Sequence, residues 1–359
     1  MLWKMKQKDR IDQSLGLIIR KQETGNRKFV LGWSFDTNAS HHTSSVVSVG
    51  NVSVLMSVIR SLLRGFGSFV LIPALLCSSG CSVFEDLAGE KKGQKQKASD
   101  VTDVVFLDDK DLDESSGLAS SLRRPGYFWT HNDSGGNASI YAYDKKGRRT
   151  GKVKLKKVDA DDWEDCCTFM SNGQAKLLIA DCGDNKKRRS EIEIYLMDEP
   201  DPRESESLKN FSRLTVRYPD GPRDCEAVAV DAVRKQIVLL TKSLLPLCEV
   251  YTLPLPDSDR DSDEKEVTAK KIGTVALPLV TGADVDQVTG DLWVTTYFQA
   301  FQFRLSDRMQ PLREQIRKLP QAVDLPKWEQ VEAVAVDSDQ NVWITSEGSP
   351  TPLGRLVFE

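Results

Sequence analysis

The sequence contains few histidines, which are common catalytic bases and zinc ligands. Of its three histidines, His41 and His42 precede the signal segment described below, so export would leave only His131. A single histidine cannot form a His₃ or His₂Glu zinc site, which argues against a zinc hydrolase. The chain also has no Cys-x-x-Cys pair, Gly-x-Ser-x-Gly elbow, P-loop or dinucleotide fingerprint. Zinc knuckles and the enzyme classes that those motifs mark are therefore disfavoured.

The chain has no excess of basic residues, with 49 Lys and Arg against 53 Asp and Glu. Residues 1–80 hold ten of the basic and four of the acidic residues, which leaves 39 and 49 for the remainder. Such an acidic part cannot replace phosphate counterions, so we expect no nucleic-acid partner. Apolar residues make up 40% and charged residues 28%. This composition excludes a mostly disordered chain and a multispanning membrane protein.

One apolar run, residues 66–77, follows Arg60 and Arg64 and is followed by small residues. It is too short to span a bilayer easily, so residues 56–80 are predicted to be a signal peptide; a short buried helix is the alternative. Residues 78–81 (SSGC) resemble a lipobox, which predicts lipidation at Cys81 and a peripheral membrane anchor. Residues 81–100 are polar and Lys-rich and suit a flexible tether. Met56 is a better start than Met1, and residues 1–55 are expected to be a non-native upstream extension or disordered.

Beyond residue 100, five segments share a polar first residue followed by a small apolar strand. They begin at Glu114, Glu164, Glu226, Thr281 and Glu332, at spacings of 50, 62, 55 and 51 residues. Second strands that end in polar residues follow each of them, and third and fourth strands come next. Four antiparallel strands in about 50 residues are typical of a β-propeller blade, so residues 101–359 are predicted to form an all-β, five-bladed propeller.

The last repeat stops after its third strand, and residues 101–107 can supply the missing fourth strand. A blade built from both ends would close the ring and remove open sheet edges. A β-sandwich followed by a second β-domain is the alternative fold. It does not explain five recurrences of the same strand pair at matched offsets.

Six motifs occur in this order between residues 110 and 350. They are WTHNDSG (129–135), DWED (162–165), DCGDN (181–185), RYPDGPRDCEA (217–227), VTGAD (280–284) and QVEA (330–333). Together they resemble a family of secreted bacterial β-propeller proteins with no assigned function. The resemblance implies the fold and export, and it implies no reaction.

The first residues of the innermost strands should line the central channel. Glu114, Glu164, Glu226 and Glu332 would then converge, with Thr281 at the fifth position. Converging carboxylates repel one another unless protons or a cation neutralise them, and oxygen ligands favour Ca²⁺ or Mg²⁺ as the cofactor. The alternative is that these side chains accept hydrogen bonds from backbone N–H groups and tie the blades together.

The ends of the second strands should place a polar ring at the channel mouth. If the protein is an enzyme, His131, Asp181 and Asp184 are the candidate catalytic residues. The candidate ligand-binding residues are Asn132, Asp133, Asn185, Arg223, Lys242, Tyr297 and Glu347. Arg223 is the one expected to pair with an acidic residue.

Two functions remain open from these residues. The first is a lipid-anchored, extracytoplasmic propeller that holds a small-molecule ligand or a cell-envelope partner at its central channel, together with a divalent cation. The second is a metal-dependent hydrolase of esters, lactones or phosphoesters. An oxidising compartment would favour one or two disulfides among Cys166, Cys167, Cys182, Cys225 and Cys248, and a bridge from Cys182 to Cys166 or Cys167 is plausible.

Overall fold

The computed structural model describes strands at residues 15–22, 28–35 and 46–49, and residues 100–358 except 108, 113, 134–136 and 257–263. The predicted signal peptide at 56–80, the lipidation site Cys81 and the tether up to residue 99 lie outside the described residues. The chain divides into two units, Met1–Lys92 and Gly93–Glu359. No helix in the described ranges is long and apolar enough to cross a membrane.

The described residues of the first unit form one antiparallel sheet in the order β1-β2-β3. Its strands are β1 (Leu15–Gln22), β2 (Lys28–Phe35) and β3 (Val46–Val49). This sheet lies within residues 1–55, the range expected to be an upstream extension.

The described part of the second unit consists of strands β4–β25 and one helical turn, α1 (Leu312–Gln315). The strands are β4 (Asp100–Leu107), β5 (Ser115–Ser120), β6 (Tyr127–Asn132), β7 (Ser139–Asp144), β8 (Arg149–Leu155), β9 (Trp163–Ser171), β10 (Gln174–Asp181), β11 (Ile192–Asp198), β12 (Ser205–Leu208), β13 (Ser212–Arg217), β14 (Cys225–Asp231), β15 (Gln236–Thr241), β16 (Cys248–Pro254), β17 (Glu264–Thr268), β18 (Lys270–Val275), β19 (Val280–Val285), β20 (Leu292–Thr296), β21 (Gln299–Phe303), β22 (Gln321–Asp324), β23 (Val331–Val336), β24 (Val342–Ser346) and β25 (Thr351–Val357).

These strands form five small sheets, and each sheet is one blade of the propeller. Blades 1 to 5 are numbered in chain order. From the innermost strand outwards they are β5-β6-β7-β8, β9-β10-β11-β13, β14-β15-β16-β18, β19-β20-β21-β22 and β23-β24-β25-β4. The innermost strands β5, β14, β19 and β23 are buried at every residue. The five-bladed propeller predicted from the repeats is therefore confirmed.

Two short strands were not expected and extend the outer edges of blades 1 and 2. Strand β12 leaves blade 2 and pairs in parallel with β8 of blade 1, and β17 leaves blade 3 and pairs in parallel with β13 of blade 2. Each covers an outer edge that would otherwise present unpaired N–H and C=O groups. The insertion that carries β12 also accounts for the long second repeat.

The apolar core lies between the blades rather than within any one of them. Buried apolar residues of the described chain form five clusters, and each cluster draws its members from two neighbouring blades. One cluster joins Leu107 and Trp343 of blade 5 to Leu118 and Phe128 of blade 1. Because every blade needs both neighbours to bury its two faces, the ring is the stable unit.

The ends of the propeller meet in blade 5, as predicted. Strand β4 pairs antiparallel with β25, from Asp100 opposite Val357 to Leu107 opposite Thr351. Arg355 and Asp103 add an ion pair of 2.7 Å across these strands.

Ring closure can be tested by two deletions that differ by one strand. Removing residues 1–107 deletes β4, exposes the edge of β25 and takes Leu107 out of the core, whereas removing residues 1–99 leaves β4 intact. We expect the first protein to aggregate and to melt at a lower temperature than the second. Thermal melting and size-exclusion chromatography measure this difference. Equal stability and a monomeric state for both would contradict the closure.

Candidate functional site

Most of the innermost strands begin with a bulge that turns one side chain out of the regular pattern. In blades 2 to 5, one residue near the start of the innermost strand has no partner residue on the second strand of the same blade. These residues are Glu164, Glu226, Thr281 and Glu332. A bulged residue is unpaired and its side chain is re-aimed, often towards a site. The structure thus gives these four residues the equivalent positions that the repeats predict.

Blade 1 departs from this pattern. In its pairing of β5 with β6, Ser115 lies opposite Asn132 and Leu118 opposite Thr130, so the bulge on β5 contains Ser116 and Gly117. Glu114 comes before the strand and is exposed, although its carboxylate is close enough to contribute to the electrostatics of Asp133. The structure therefore brings three of the four predicted glutamates to equivalent buried positions and leaves Glu114 at the rim.

Next to the bulge of blade 2, the carboxylate of Asp165 links three blades near the axis. Its Oδ2 accepts hydrogen bonds from Val228 N at 2.9 Å and Ala283 N at 3.1 Å, and its Oδ1 accepts one from Cys166 N at 2.9 Å. Asp284 similarly accepts from Val336 N at 2.8 Å and Val285 N at 2.8 Å. These two aspartates, rather than the glutamates, perform the structural role considered for buried acids in this sequence.

Asp133, Asp162 and Glu164 form an acidic cluster at the end of the propeller where the innermost strands begin and the second strands end, which is called the mouth from here on. Each offers a carboxylate oxygen, and these oxygens lie within 4.8 Å of one another. Two backbone bonds set the geometry: Trp163 N donates to Asp133 O at 3.1 Å, and Gly183 N donates to Asp162 O at 3.1 Å. The cluster is thus built from the loop between β6 and β7 of blade 1 and from the residues around the start of β9 in blade 2.

Gly183 is required at the wall of this cluster. A Cβ at this position would lie 2.1 Å from Glu164 Oε1 and 2.5 Å from Asp162 Oδ2. Any side chain would therefore displace the carboxylates. The absence of a side chain allows two acidic groups and the backbone of another loop to come together.

Glu226 extends the cluster towards blade 3. Glu226 is only 3% exposed, and its Oε2 lies 2.9 Å from Lys242 Nζ. Its Oε1 is buried and accepts no hydrogen bond from an N–H or hydroxyl group of the described residues, and the same is true of Asp133 Oδ1. The ammonium of Lys242 also lies 5.2 Å from the centre of the Tyr297 ring. One cation therefore faces several carboxylates.

The protonation of these groups is strongly perturbed. Burial, reinforced by neighbouring carboxylates, raises the pKa of Asp133 to about 7. Burial also raises the pKa of Glu226 to about 7 despite Lys242, and that of Glu332 to about 9. The pKa values of Asp162 and Glu164 are raised for the same reason. At neutral pH the mouth therefore favours uptake of protons or of another positive charge.

The three predicted catalytic residues are held inside the protein. His131 is completely buried, its Nδ1 lies 3.0 Å from Asn132 O, and burial lowers its pKa to about 4. Asp181 pairs with Arg189 at 2.7 Å, and the carboxylate of Asp184 accepts the Arg189 backbone N–H at 2.7 Å. Asp181 also accepts from Asp162 N at 3.2 Å, so it helps to position the acidic cluster.

The predicted ligand-binding residues are placed in different surroundings. Arg223 pairs with Glu249 at 2.5 Å and with Asp220 at 2.6 Å, which confirms that it pairs with acidic residues. Asn132 Nδ2 donates to Asp111 O at 2.8 Å, and Gln330 Nε2 donates to Glu347 Oε2 at 2.5 Å.

Asn185 is exposed in the loop after β10. Asp133, Lys242 and Tyr297 are the members of the predicted ligand-binding set that take part in the acidic mouth.

A cleft of about 340 Å³ adjoins the mouth through Lys242. Arg223 and Lys187 add two further cationic groups, and Asp224 and Glu249 contribute carboxylates to its lining. Thr241, Ser243 and Thr274 add hydroxyl groups. The cleft is thus polar and carries both signs of charge.

Asp162 is the functional residue that sequence reasoning missed. It lies just before β9, two residues ahead of Glu164, in a connection that the repeat pattern does not cover. The DWED motif contained the signal, because residues two apart in an extended segment share one side.

Comparison with known proteins does not place this chain in a family. No family profile and no curated protein matches this chain. Among solved structures, a glucose dehydrogenase is 11% identical, with a TM-score of 0.43, over 71% of this chain and 99% of the other. The apo aldose sugar dehydrogenase of Escherichia coli is 10% identical, with a TM-score of 0.40, over 71% of this chain and 99% of the other.

A streptogramin B lyase is 12% identical, with a TM-score of 0.31, over 71% of this chain and 97% of the other. Similarities this low carry no argument about function. The five blades of the structure confirm the propeller fold that the sequence motifs imply, and membership of a secreted family stays a prediction.

The bridging role of Asp165 predicts a large loss of stability on substitution. Asp165→Ala leaves the N–H groups of Val228 and Ala283 buried without partners, at about 1–3 kcal/mol each. We expect the free energy of unfolding to fall by about 2–5 kcal/mol, measured by denaturant titration. Asp165→Asn keeps one acceptor oxygen and should lose less. Asp339→Ala, in an exposed turn, is the control and should change stability by less than about 0.5 kcal/mol; an unchanged midpoint for Asp165→Ala would exclude the bridging role.

Proposed function

We propose that this protein is a lipid-anchored, extracytoplasmic propeller that binds a divalent cation at its mouth and uses this site to hold a small-molecule ligand or a cell-envelope partner. The observation that carries the proposal is the convergence of Asp133, Asp162 and Glu164, whose oxygens lie within 4.8 Å of one another. Two buried oxygens that accept no hydrogen bond from an N–H or hydroxyl group of the described residues, Asp133 Oδ1 and Glu226 Oε1, also support it.

The chemistry of the donors favours Ca²⁺ or Mg²⁺. Carboxylate oxygens are hard ligands, and among the described residues the group of close ligand atoms consists of carboxylates alone, without sulfur or imidazole. Ca²⁺ accepts several carboxylates in irregular geometry, whereas Mg²⁺ demands a near-ideal octahedron and retains waters. A cluster assembled from two loops and a bulge suits the more tolerant Ca²⁺ ion best.

The polar cleft beside the mouth supplies the second half of the proposed site. A ligand in the cleft meets Lys242, which is bound to Glu226 and so connects the cleft to the acidic cluster. Lys187 and Arg223 provide further cationic groups. An oxygen-rich ligand with negative charge would complement both the bound cation and these side chains.

Binding is favoured over the hydrolase because of where the candidate catalytic groups lie. His131 is enclosed, and Asp181 and Asp184 are engaged by Arg189. A catalytic base must reach the proton that it abstracts, directly or through one water. The same carboxylates instead hold the wall of the acidic cluster in place.

Cation binding predicts a specific dependence of melting temperature on Ca²⁺ and on pH. Because the folded-state pKa values of Asp133 and Glu226, about 7, exceed those of the unfolded chain, about 4, the folded protein holds more protons. Without cation, the stability contributed by these two groups should be fully present below about pH 4 and should be lost as the pH rises from about 4 to about 7. Ca²⁺ at 100 times its dissociation constant should restore about 2.7 kcal/mol, and its effect on melting temperature should grow with pH.

A matched pair of variants separates the site from the general effect of charge. Glu164→Gln should abolish the Ca²⁺-dependent rise in melting temperature, while Glu206→Gln, on the exposed strand β12, should retain it. Calorimetric titration of Ca²⁺ and of Mg²⁺ measures the affinities directly. A wild-type protein whose melting curve ignores both chelator and added cation would reject the cation site.

The anchor makes a separate prediction about location. Cys81→Ala removes the thiol that lipidation requires, so the protein should move from the membrane fraction to the soluble envelope fraction. Cell fractionation and immunoblotting measure this change, with deletion of residues 1–55 as a control that should leave export unaltered. A Cys81→Ala protein that stays with the membrane would remove the lipoprotein proposal.

A further inference from the structure

Two of the five cysteines in the propeller meet across a blade boundary. The thiol of Cys182, just after β10 of blade 2, lies 3.2 Å from the carbonyl oxygen of Cys225, the first residue of β14 in blade 3. A second contact joins the same segments, since Asp184 N donates to Asp224 Oδ1 at 3.2 Å. The bridge expected between Cys182 and Cys166 or Cys167 is not what this geometry favours.

The side chains of the two cysteines also lie close enough to interact electrostatically. Burial, together with a side-chain hydrogen bond to Cys225, raises the pKa of Cys182 well above its ordinary value. Both side chains have 0% exposure, and both belong to the apolar cluster between blades 2 and 3. All five cysteines are thiols in this structure.

We propose that Cys182 and Cys225 form a disulfide that joins blades 2 and 3 beneath the acidic mouth. Each thiol gives up one proton and one electron, and one S–S bond forms. The disulfide of a thiol oxidoreductase, or oxidised glutathione, accepts the electrons and protons and becomes two thiols. The proposal rests on the export proposed above, because cytosolic thiols stay reduced.

The position of this bond gives it a structural consequence. Cys182 lies beside Gly183, which contacts Glu164 and Asp162, and Cys225 directly precedes Glu226. The bond would therefore connect the two walls of the acidic cluster. Since both thiols are inaccessible in the folded protein, oxidation must take place before blades 2 and 3 close. It should then persist, because reductants cannot reach it in the native state.

Peptide mapping without reduction tests the proposal directly. The full chain is collected from the cell envelope, its free thiols are blocked with N-ethylmaleimide in acidic denaturant, and it is digested with trypsin. Cleavage after Lys176, Lys186, Arg223 and Arg234 places Cys182 and Cys225 on the separate peptides 177–186 and 224–234. Mass spectrometry should find these two peptides linked, with about 2 Da less than the sum of their masses. A bridge from either cysteine to a different cysteine would overturn the proposal.

Refolding in glutathione buffer separates this result from the question of export. The purified chain, refolded with oxidised glutathione, should form the same cross-link and melt on the order of 5–10 °C higher than the chain refolded with reduced glutathione. A cross-link in this buffer that is absent from cells would count against export and support the pairing. Its absence in both preparations would reject the disulfide.

Three variants keep the test interpretable if one of them folds poorly. Cys225→Ser and Cys182→Ser should each lose the cross-link and the difference between oxidised and reduced melting temperatures. Cys248→Ser is the control, because its thiol is buried in the neighbouring cluster and should leave both unchanged. A cross-link that survives in Cys225→Ser would contradict the assignment.

Discussion

The propeller depends on how the innermost strands satisfy their open edges. Each innermost strand pairs with only one neighbour in its own sheet, so its other edge presents N–H groups towards the axis, where unpaired donors are costly. Asp165 meets this requirement for blades 3 and 4 with one oxygen, and Asp284 does the same for blade 5. Between blades 1 and 5, besides their shared apolar cluster, the hydroxyls of Ser115 and Thr345 lie 3.5 Å apart. A few short side chains thus connect sheets that share no strand.

Neighbouring acidic residues on β9 illustrate two different uses of a buried carboxylate. Asp165 is surrounded by three N–H donors, which provide partners for its oxygens. Glu164, one residue earlier, sits in a bulge and faces Asp133, Asp162 and Glu226 instead. The sequence left open whether buried acids here tie blades together or bind a cation. The number of donors around each group separates these roles, because a carboxylate whose two oxygens already accept three N–H groups has little capacity left for a ligand.

The five-bladed architecture could be predicted from the sequence because each repeat contains strands of regular length at regular spacing. The recurring pair of apolar strands at matched offsets set the number of blades, and the truncated last repeat pointed to β4 as its fourth strand. The strands β12 and β17 were not predictable, since they are short and polar and pair in parallel with another blade. Their pairing depends on the spacing between blades, which no local pattern records.

The site was predictable only in part, and the reasons are local. Glu114 was aligned with Glu164 because both precede a small apolar strand, but the bulge of blade 1 passes over two residues instead of one. Asp162 lies in a connection between blades, and the contact between Cys182 and Cys225 crosses 43 residues of sequence. Both follow from the way neighbouring blades pack.

The excess of acid at the mouth makes it costly for every carboxylate there to be charged at once. Lys242 is the ammonium seated against Glu226, and its long side chain also packs over Tyr297, so one cation is held at one side of the cluster. The remaining carboxylates can lower their repulsion by taking up protons, which their raised pKa values reflect. A divalent ion would do so with a smaller volume than a second lysine and without filling the adjoining cleft. The crowded carboxylates lie beside a polar cleft of about 340 Å³, and the proposed cation and ligand site depends on this arrangement.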